Sequence, residues 1–318
     1  MFARMKTYVL TLMILLAALP TAAAEGVADD LYKQLSKLDS RRLYDKGYQY
    51  IRNGENDKAL TCYTIVADRM DPRDSVSVRL AVGSMGNIAY IYSVNEFGKS
   101  FVYLDKALKT AEQYKVKDKL PFLYLNMANV MHADETVRTP DRMSAQTLDC
   151  YRKAYDAALA VGDWGPLLDA LNDVVSIAIG CRQLHDVKWL INNFRSLNIP
   201  EGTADLRFSR LHCDAAEALM NGDTARALGC LERMKGTETA EGDVRALLQV
   251  WADVANTYYH MGDYVRCVAA DTTAIGIARR HGQRDVAVSF YENLVKCYKA
   301  LGDKELYRRY YLNLFRAE

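Results

Sequence analysis

The sequence predicts an all-α chain, a helical solenoid of about seven hairpins stacked side by side. Three observations carry this reading. Alanine- and leucine-rich segments outweigh runs of Val, Ile or Thr, and only six prolines occur in 318 residues, a composition that favours helix over strand. The strings Asn221-Gly222-Asp223, Met261-Gly262-Asp263 and Leu301-Gly302-Asp303 recur with their glycines 40 residues apart, and a fixed period of this size marks a repeat architecture. Each string follows one apolar-periodic segment and precedes another, so each glycine falls where a helix ends and its partner begins.

The elements follow in chain order. Arg4 and Lys6 precede an apolar run of 12 residues, Tyr8 to Leu19, which Pro20 ends; Ala22-Ala23-Ala24 then supplies small residues for cleavage. This is the pattern of a secretory signal peptide at 1–24. The run is shorter than the ~20 residues that span a bilayer, and no Cys near the cleavage site offers a lipid attachment point. The chain is therefore expected to be exported, periplasmic, and without a membrane span once the leader is removed. A pre-repeat helix is expected within 25–39, from Asp29 to Leu38, and the repeat domain over 40–318.

In the first unit Leu43, Gly47 and Tyr50 precede the turn Asn53-Gly54-Glu55, and Ala59 and Tyr63 follow it. In the second, Asn87-Ile88-Ala89-Tyr90 leads to Asn95-Glu96-Phe97 and then Lys106-Ala107-Leu108. The third is expected to turn at Asp134-Glu135 and to carry about seven extra residues through Thr139-Pro140-Asp141. Its second helix resumes near Ser144 with Tyr151 and Ala154, and the insertion at 133–143 is a candidate contact surface. The fourth unit reads as degenerate: 40 residues before Gly222 stands Arg182, in Cys181-Arg182-Gln183. In the sixth, Val250 to Tyr259 leads to Gly262-Asp263-Tyr264. The last helix, Lys304 to Arg316, is broadly apolar through Leu306, Tyr307, Tyr310, Tyr311, Leu314 and Phe315. Repeat arrays usually end in a polar capping helix, so either the chain is expected to be a segment of a longer protein or this surface is expected to meet a partner or a second copy.

Small residues (Gly47, Ala128, Ala215, Ala255) recur where two helices must approach closely, with large apolar or aromatic residues (Tyr50, Met131, Tyr258, Tyr298) three later on the same face. These residues, with the Gly-Asp turns, resemble the tetratricopeptide repeat (TPR) family over nearly all of the chain from about residue 40. The 40-residue period resembles the longer variant seen in kinesin light chains and in bacterial regulators. The leader, the pre-repeat helix and the Tyr-Leu-Asn and Lys-Ala-Leu strings are similar to the exported repeat region of Bacteroidetes regulators. The resemblance implies a right-handed superhelix whose concave face, lined by the first helix of each hairpin, holds a peptide or protein partner. Carried onto this chain, it places Tyr44, Tyr48, Tyr92, Asn129, His132, His212, Asn256, Tyr259, Lys296 and Lys299 on that face, with Asn172, Ser176 and Glu292 among their neighbours. Asn side chains can pair with a peptide backbone, aromatics add apolar contact with a polar tip, and the two lysines suit an acidic group. The Lys and Asn set that clamps a C-terminal carboxylate in some chaperone-binding relatives is not repeated.

Catalytic and cofactor chemistry leaves no signature. Gly83, Gly86 and Gly98 lack the spacing and strand context of a phosphate loop, no His-Glu-x-x-His zinc motif or Gly-x-Ser-x-Gly elbow occurs, and no Asp/Glu pair stands out. The five histidines (His132, His185, His212, His260, His281) are scattered, with His212 and His260 expected on one face. Seven cysteines (Cys62, Cys150, Cys181, Cys213, Cys230, Cys267, Cys297) form no metal-spaced pair; they are expected as buried free thiols, with Cys213 and Cys230 the pair to test for a disulfide. Net charge is +1 and falls to −1 with the leader's two bases removed, so nothing biases the chain toward nucleic acid. The reading is a non-enzymatic, cofactor-free interaction module for a protein or peptide. It is either the sensory part of a signalling regulator or a stand-alone periplasmic scaffold, with an exported enzyme as the third class.

Overall fold

The computed structural model describes residues 31–94, 96–138 and 142–314. The leader at 1–24, the start of the pre-repeat helix, and the tip of the 133–143 insertion lie outside these residues. Among the described residues every regular element is helical. Fifteen α-helices follow a short helical stretch at 31–35: α1 (Ser40–Arg52), α2 (Asn56–Asp68), α3 (Ser75–Tyr92), α4 (Phe97–Gln113), α5 (Leu120–Arg138), α6 (Ala145–Val161), α7 (Trp164–Gly180), α8 (Leu184–Ser196), α9 (Leu206–Met220), α10 (Thr224–Lys235), α11 (Glu238–Gly242), α12 (Val244–His260), α13 (Tyr264–Arg280), α14 (Arg284–Leu301) and α15 (Lys304–Leu314). A single 3₁₀ turn, Lys117–Lys119, precedes α5. Chain neighbours pack in pairs, so the all-α helical repeat architecture is as expected. The chain divides into two compact units, residues 1–91 and 92–318.

The turns explain the repeated Gly-Asp strings. Gly54, Gly222, Gly262 and Gly302 all have φ between +73° and +77°, a region L-residues enter only at a cost. After each, the next amide reaches back five residues: Glu55 N to Tyr50 O, Asp223 N to Ala218 O, Asp263 N to Tyr258 O, Asp303 N to Tyr298 O. That closure satisfies a carbonyl the helix end leaves open. The Asp then caps the next helix, accepting from the amides of Arg226, Arg266 and Leu306 at 3.0–3.1 Å. The fourth unit, expected to be degenerate, makes the same turn without glycine. Arg182 has φ +57° and Gln183 N reaches Ala178 O at 2.8 Å. One cavity is lined by Arg182, Gly222 and Met261, so the turns of the fourth, fifth and sixth hairpins lie along a common edge.

The third unit departs from the expected turn. Helix α5 runs through Asp134-Glu135 to Arg138, because Glu135 ties this helix to the next one. Its carboxylate accepts from Thr147 Oγ1 at 2.8 Å and Ser144 N at 3.1 Å, fixing the start of α6. Burial pushes the Glu135 carboxyl up, but these hydrogen bonds outweigh it and hold its pKa below the ordinary value.

In the first unit Leu35, Leu43, Cys62, Ile65, Val66 and Leu80 form the core. Gly47 is required there: a Cβ at that position would sit 2.8 Å from the ring of fully buried Tyr63. The second unit is held by apolar clusters that pass from helix to helix, one centred on α6 to α9, one on α9 to α13, and one on α12 to α14. Each fully buried Leu or Phe among them contributes about 1.5–3 kcal/mol. The seven cysteines are free thiols; Cys213 belongs to the first cluster and Cys230 to the second. In α15, Tyr310 stacks on Tyr298 at 5.3 Å, while Tyr311 and Leu312 remain exposed; the side chains of Leu314 and Phe315 lie outside the described residues.

Candidate functional site

The second unit is organised by a contact between helices that are not sequence neighbours. Helix α7 packs directly on α12, although helices α8 to α11 separate them in the chain. Polar bonds run along this seam. Gln249 Nε2 lies 3.4 Å from Asp173 Oδ1, Ser176 Oγ donates to Asp253 Oδ1 at 2.6 Å, and His260 Nε2 faces the carbonyls of Ile179 at 3.1 Å and Gly180 at 2.9 Å. A nitrogen facing two carbonyls must carry the proton, so His260 donates to the open carbonyl end of α7. Gly180 permits the approach: a Cβ there would lie 3.2 Å from Asn256 Nδ2.

Two cavities border the seam. The first, about 270 Å³, is bounded by α5, α7, α12 and α14 and lined by His132, Thr136, Ser176, Asn256, Ser289, Glu292, Asn293 and Lys296, with Asp271 of α13 at its floor. His132, Asn256 and Lys296, expected from the sequence to face a partner, meet here with their neighbours Ser176 and Glu292. The Nδ1 of His132 is buried without a hydrogen-bond partner, and burial lowers its pKa against the opposing pull of Glu135. Burial likewise raises Glu292, with Lys296 acting against it.

The second cavity, about 410 Å³, lies across the seam between α7, α9, α11 and α12. Asp169, Asp173, Asp205, Glu238 and Asp243 make it acidic, with Arg245 as its basic residue. Asp205 and Asp243 are anchored, accepting from Thr239 Oγ1 at 2.6 Å and from the Arg245 amide at 2.8 Å. Asp169 reaches solvent, yet it is set within the cavity mouth. Desolvation there, added to the charges of Asp173, Asp205, Asp163 and Asp243, pushes it up to about 7. The sequence singled out none of these acids. The legible trace was Asp169 and Asp173 at i and i+4 on a first helix, together with Asn172, which also lines this cavity.

The remaining expected residues are dispersed. His212 is wholly buried and presents nothing to a partner. Its Nδ1 lies 3.3 Å from Asn172 Oδ1 and its Nε2 3.1 Å from Asp253 Oδ2, because α7 and α12 close over α9. His260 is likewise engaged in the seam. Asn129 is exposed but committed, donating to Asp173 Oδ2 at 3.2 Å and accepting from the Tyr151 hydroxyl. Tyr259 packs edge-on to His260 and Tyr264, and Lys299 is exposed but does not line the first cavity. Tyr92 stacks on Tyr103 at 5.9 Å beneath Lys99. In the first unit Tyr44 lies edge-on to Tyr63 at 5.6 Å and against Gly83, while Tyr48 is 56% exposed.

A cluster that the sequence does not reveal lies beneath the first cavity. Cys267, Asp271 and Cys297 are fully buried, and their ligand atoms lie within 4.8 Å of one another. Asn293 Nδ2 donates to both Asp271 oxygens at 3.1–3.2 Å. Burial raises the Asp271 pKa to about 7 against these bonds.

No family model matches the chain, and no curated protein matches it. Solved structures similar to it include that of BtubC (BKLC) from P. vanneervenii, 16% identical, with a TM-score of 0.41 over 88% of this chain and 91% of that one.

Proposed function

We propose that the chain is an exported, tetratricopeptide-type interaction module that binds a peptide or protein segment on the inner face of its second unit and catalyses no reaction. One observation supports this above the others. His132, Ser176, Asn256, Glu292 and Lys296, spread over 164 residues of sequence, were expected on a partner-facing surface and line one cavity. Its mixture of amide, hydroxyl, imidazole, carboxyl and ammonium groups suits the donors and acceptors of a peptide backbone. Periplasmic residence and a signalling role rest on the leader pattern and the resemblance to regulator repeats.

The test is peptide selection from a displayed library on the leaderless chain, followed by calorimetric titration of a selected peptide. Asn256→Ala combined with Lys296→Glu is expected to weaken binding at least 10-fold, and Tyr48→Ala to leave it unchanged. Equal affinity for wild type and the double variant would remove the first cavity as the binding site.

A further inference from the structure

We propose that Cys267, Asp271 and Cys297 form a buried site for a thiophilic divalent cation of the zinc class. The site arises from two i, i+4 pairs on consecutive helices. Cys267 and Asp271 are one turn apart on α13, Asn293 and Cys297 one turn apart on α14, and the two pairs face each other. Cys297 Sγ lies 3.0 Å from Cys267 Sγ, and Cys267 Sγ lies 3.5 Å from Asp271 Oδ2. Asn293 Nδ2 is 3.7 Å from Cys267 Sγ. Two sulfurs and a carboxylate oxygen are the donors that select zinc-like ions over calcium or magnesium.

The second observation is the carboxylate. Asp271 is fully buried, and among the described residues it forms no ion pair with Lys, Arg or His. A buried carboxylate without a cation is costly, and a bound cation supplies the missing charge. Zinc–sulfur bonds of about 2.3 Å in a tetrahedral site hold two sulfurs roughly 3.8 Å apart, so the thiols need part by less than about 1 Å from where they stand. Asp271 and Asn293 also line the first cavity, which gives the ion a route in. The fourth position falls to the Asn293 amide oxygen, reached by turning the amide over, or to a water from that cavity. Binding releases the two thiol protons to solvent and transfers no electrons.

A Cys267–Cys297 disulfide is the competing occupant of this geometry. It would form by exchange with a disulfide donor, which leaves as two thiols. It would leave Asp271 held by Asn293 alone, whereas the metal engages all three clustered groups, and for that reason the metal is preferred.

The proposal is tested by titrating the full, reduced chain with Co²⁺ under argon. The expected result is one cobalt per chain, with visible bands of tetrahedral intensity and near-ultraviolet thiolate-to-cobalt absorption, displaced by Zn²⁺. Cys267→Ser and Cys297→Ser should lose the thiolate absorption or reduce it by half, and Cys62→Ser should retain it. Asp271→Asn, the milder variant if the serine variants fail to fold, should weaken Co²⁺ binding at least 10-fold while keeping the thiolate band. Absence of stoichiometric cobalt binding to the folded, reduced chain overturns the proposal. So does a chain purified without reductant that is two hydrogens lighter and yields a Cys267–Cys297 peptide, since that outcome assigns the pair to a disulfide. The outcome is independent of peptide binding.

Discussion

The Nε2 of His212 lies 3.1 Å from Oδ2 of Asp253, and neither side chain is exposed. Each residue has a second partner on α7, Asn172 for the histidine and Ser176 for the aspartate. The pair thus joins α9 and α12 to the helix they both flank. Removing one member leaves the facing polar atom of the other buried without that contact, which costs about 1–3 kcal/mol. Asp253→Ala is therefore expected to lower unfolding stability by about that amount. Adding His212→Ala should cost less than the sum of the single changes, as read from a urea double-mutant cycle.

Arg182 occupies a left-handed turn that glycine fills in three later hairpins. A non-glycine residue there is strained by about 1 kcal/mol. Arg182→Gly should raise the denaturation midpoint by the equivalent of about 0.5–1 kcal/mol, and Gly262→Ala should lower it by about 1 kcal/mol. Parallel shifts in the same direction would show that the two turns are not equivalent.

Gly47 meets the ring of Tyr63 where α1 crosses α2. Gly47→Ala should destabilise the first unit by about 1–3 kcal/mol through overpacking, whereas Gly54→Ala, whose Cβ meets nothing within 4 Å, incurs only the left-handed strain. Limited proteolysis within residues 40–68 reports the difference; equal cleavage rates for the two variants would contradict it.

Asp169 carries a pKa raised to about 7 from 3.8. The folded chain takes up a proton between those values that the unfolded chain releases, so acidification through this window stabilises the fold. His132, lowered from 6.5, acts in the opposite sense below that value. Comparing variants isolates the aspartate: Asp169→Asn should be more stable than wild type at pH 8, with the advantage shrinking toward pH 5. An advantage that does not change with pH would show that Asp169 does not titrate in this window.

The fold was legible because its signals are local. A glycine that must be left-handed, an Asp that caps the next helix and small residues at crossings each act within one hairpin, so Gly222-Asp223 and Gly262-Asp263 announced the architecture directly. Arg182 stood at the right register but lacked the expected residue, and Glu135 lay where a turn belonged while serving as a cap for α6. The site was legible only in part. His132, Asn256 and Lys296 were found by their place on first helices, a rule that assumes each such helix faces open space. His212 obeys the same rule yet is buried, because the closure of α7 on α12 depends on contacts 77 residues apart, such as Ser176 to Asp253. The Cys267–Asp271–Cys297 group escaped notice because its second cysteine comes from the following helix at a spacing no linear motif encodes.

The bridge from α7 to α12 changes how the second unit should come apart. In an ordinary array each hairpin leans only on the next, and ends can fray one at a time. Here the fourth hairpin also holds the sixth, with the fifth clasped between them. Amide exchange from Trp164 to His260 should therefore proceed through one shared opening rather than a graded series, and a partner that engages the seam would brace all three hairpins at once.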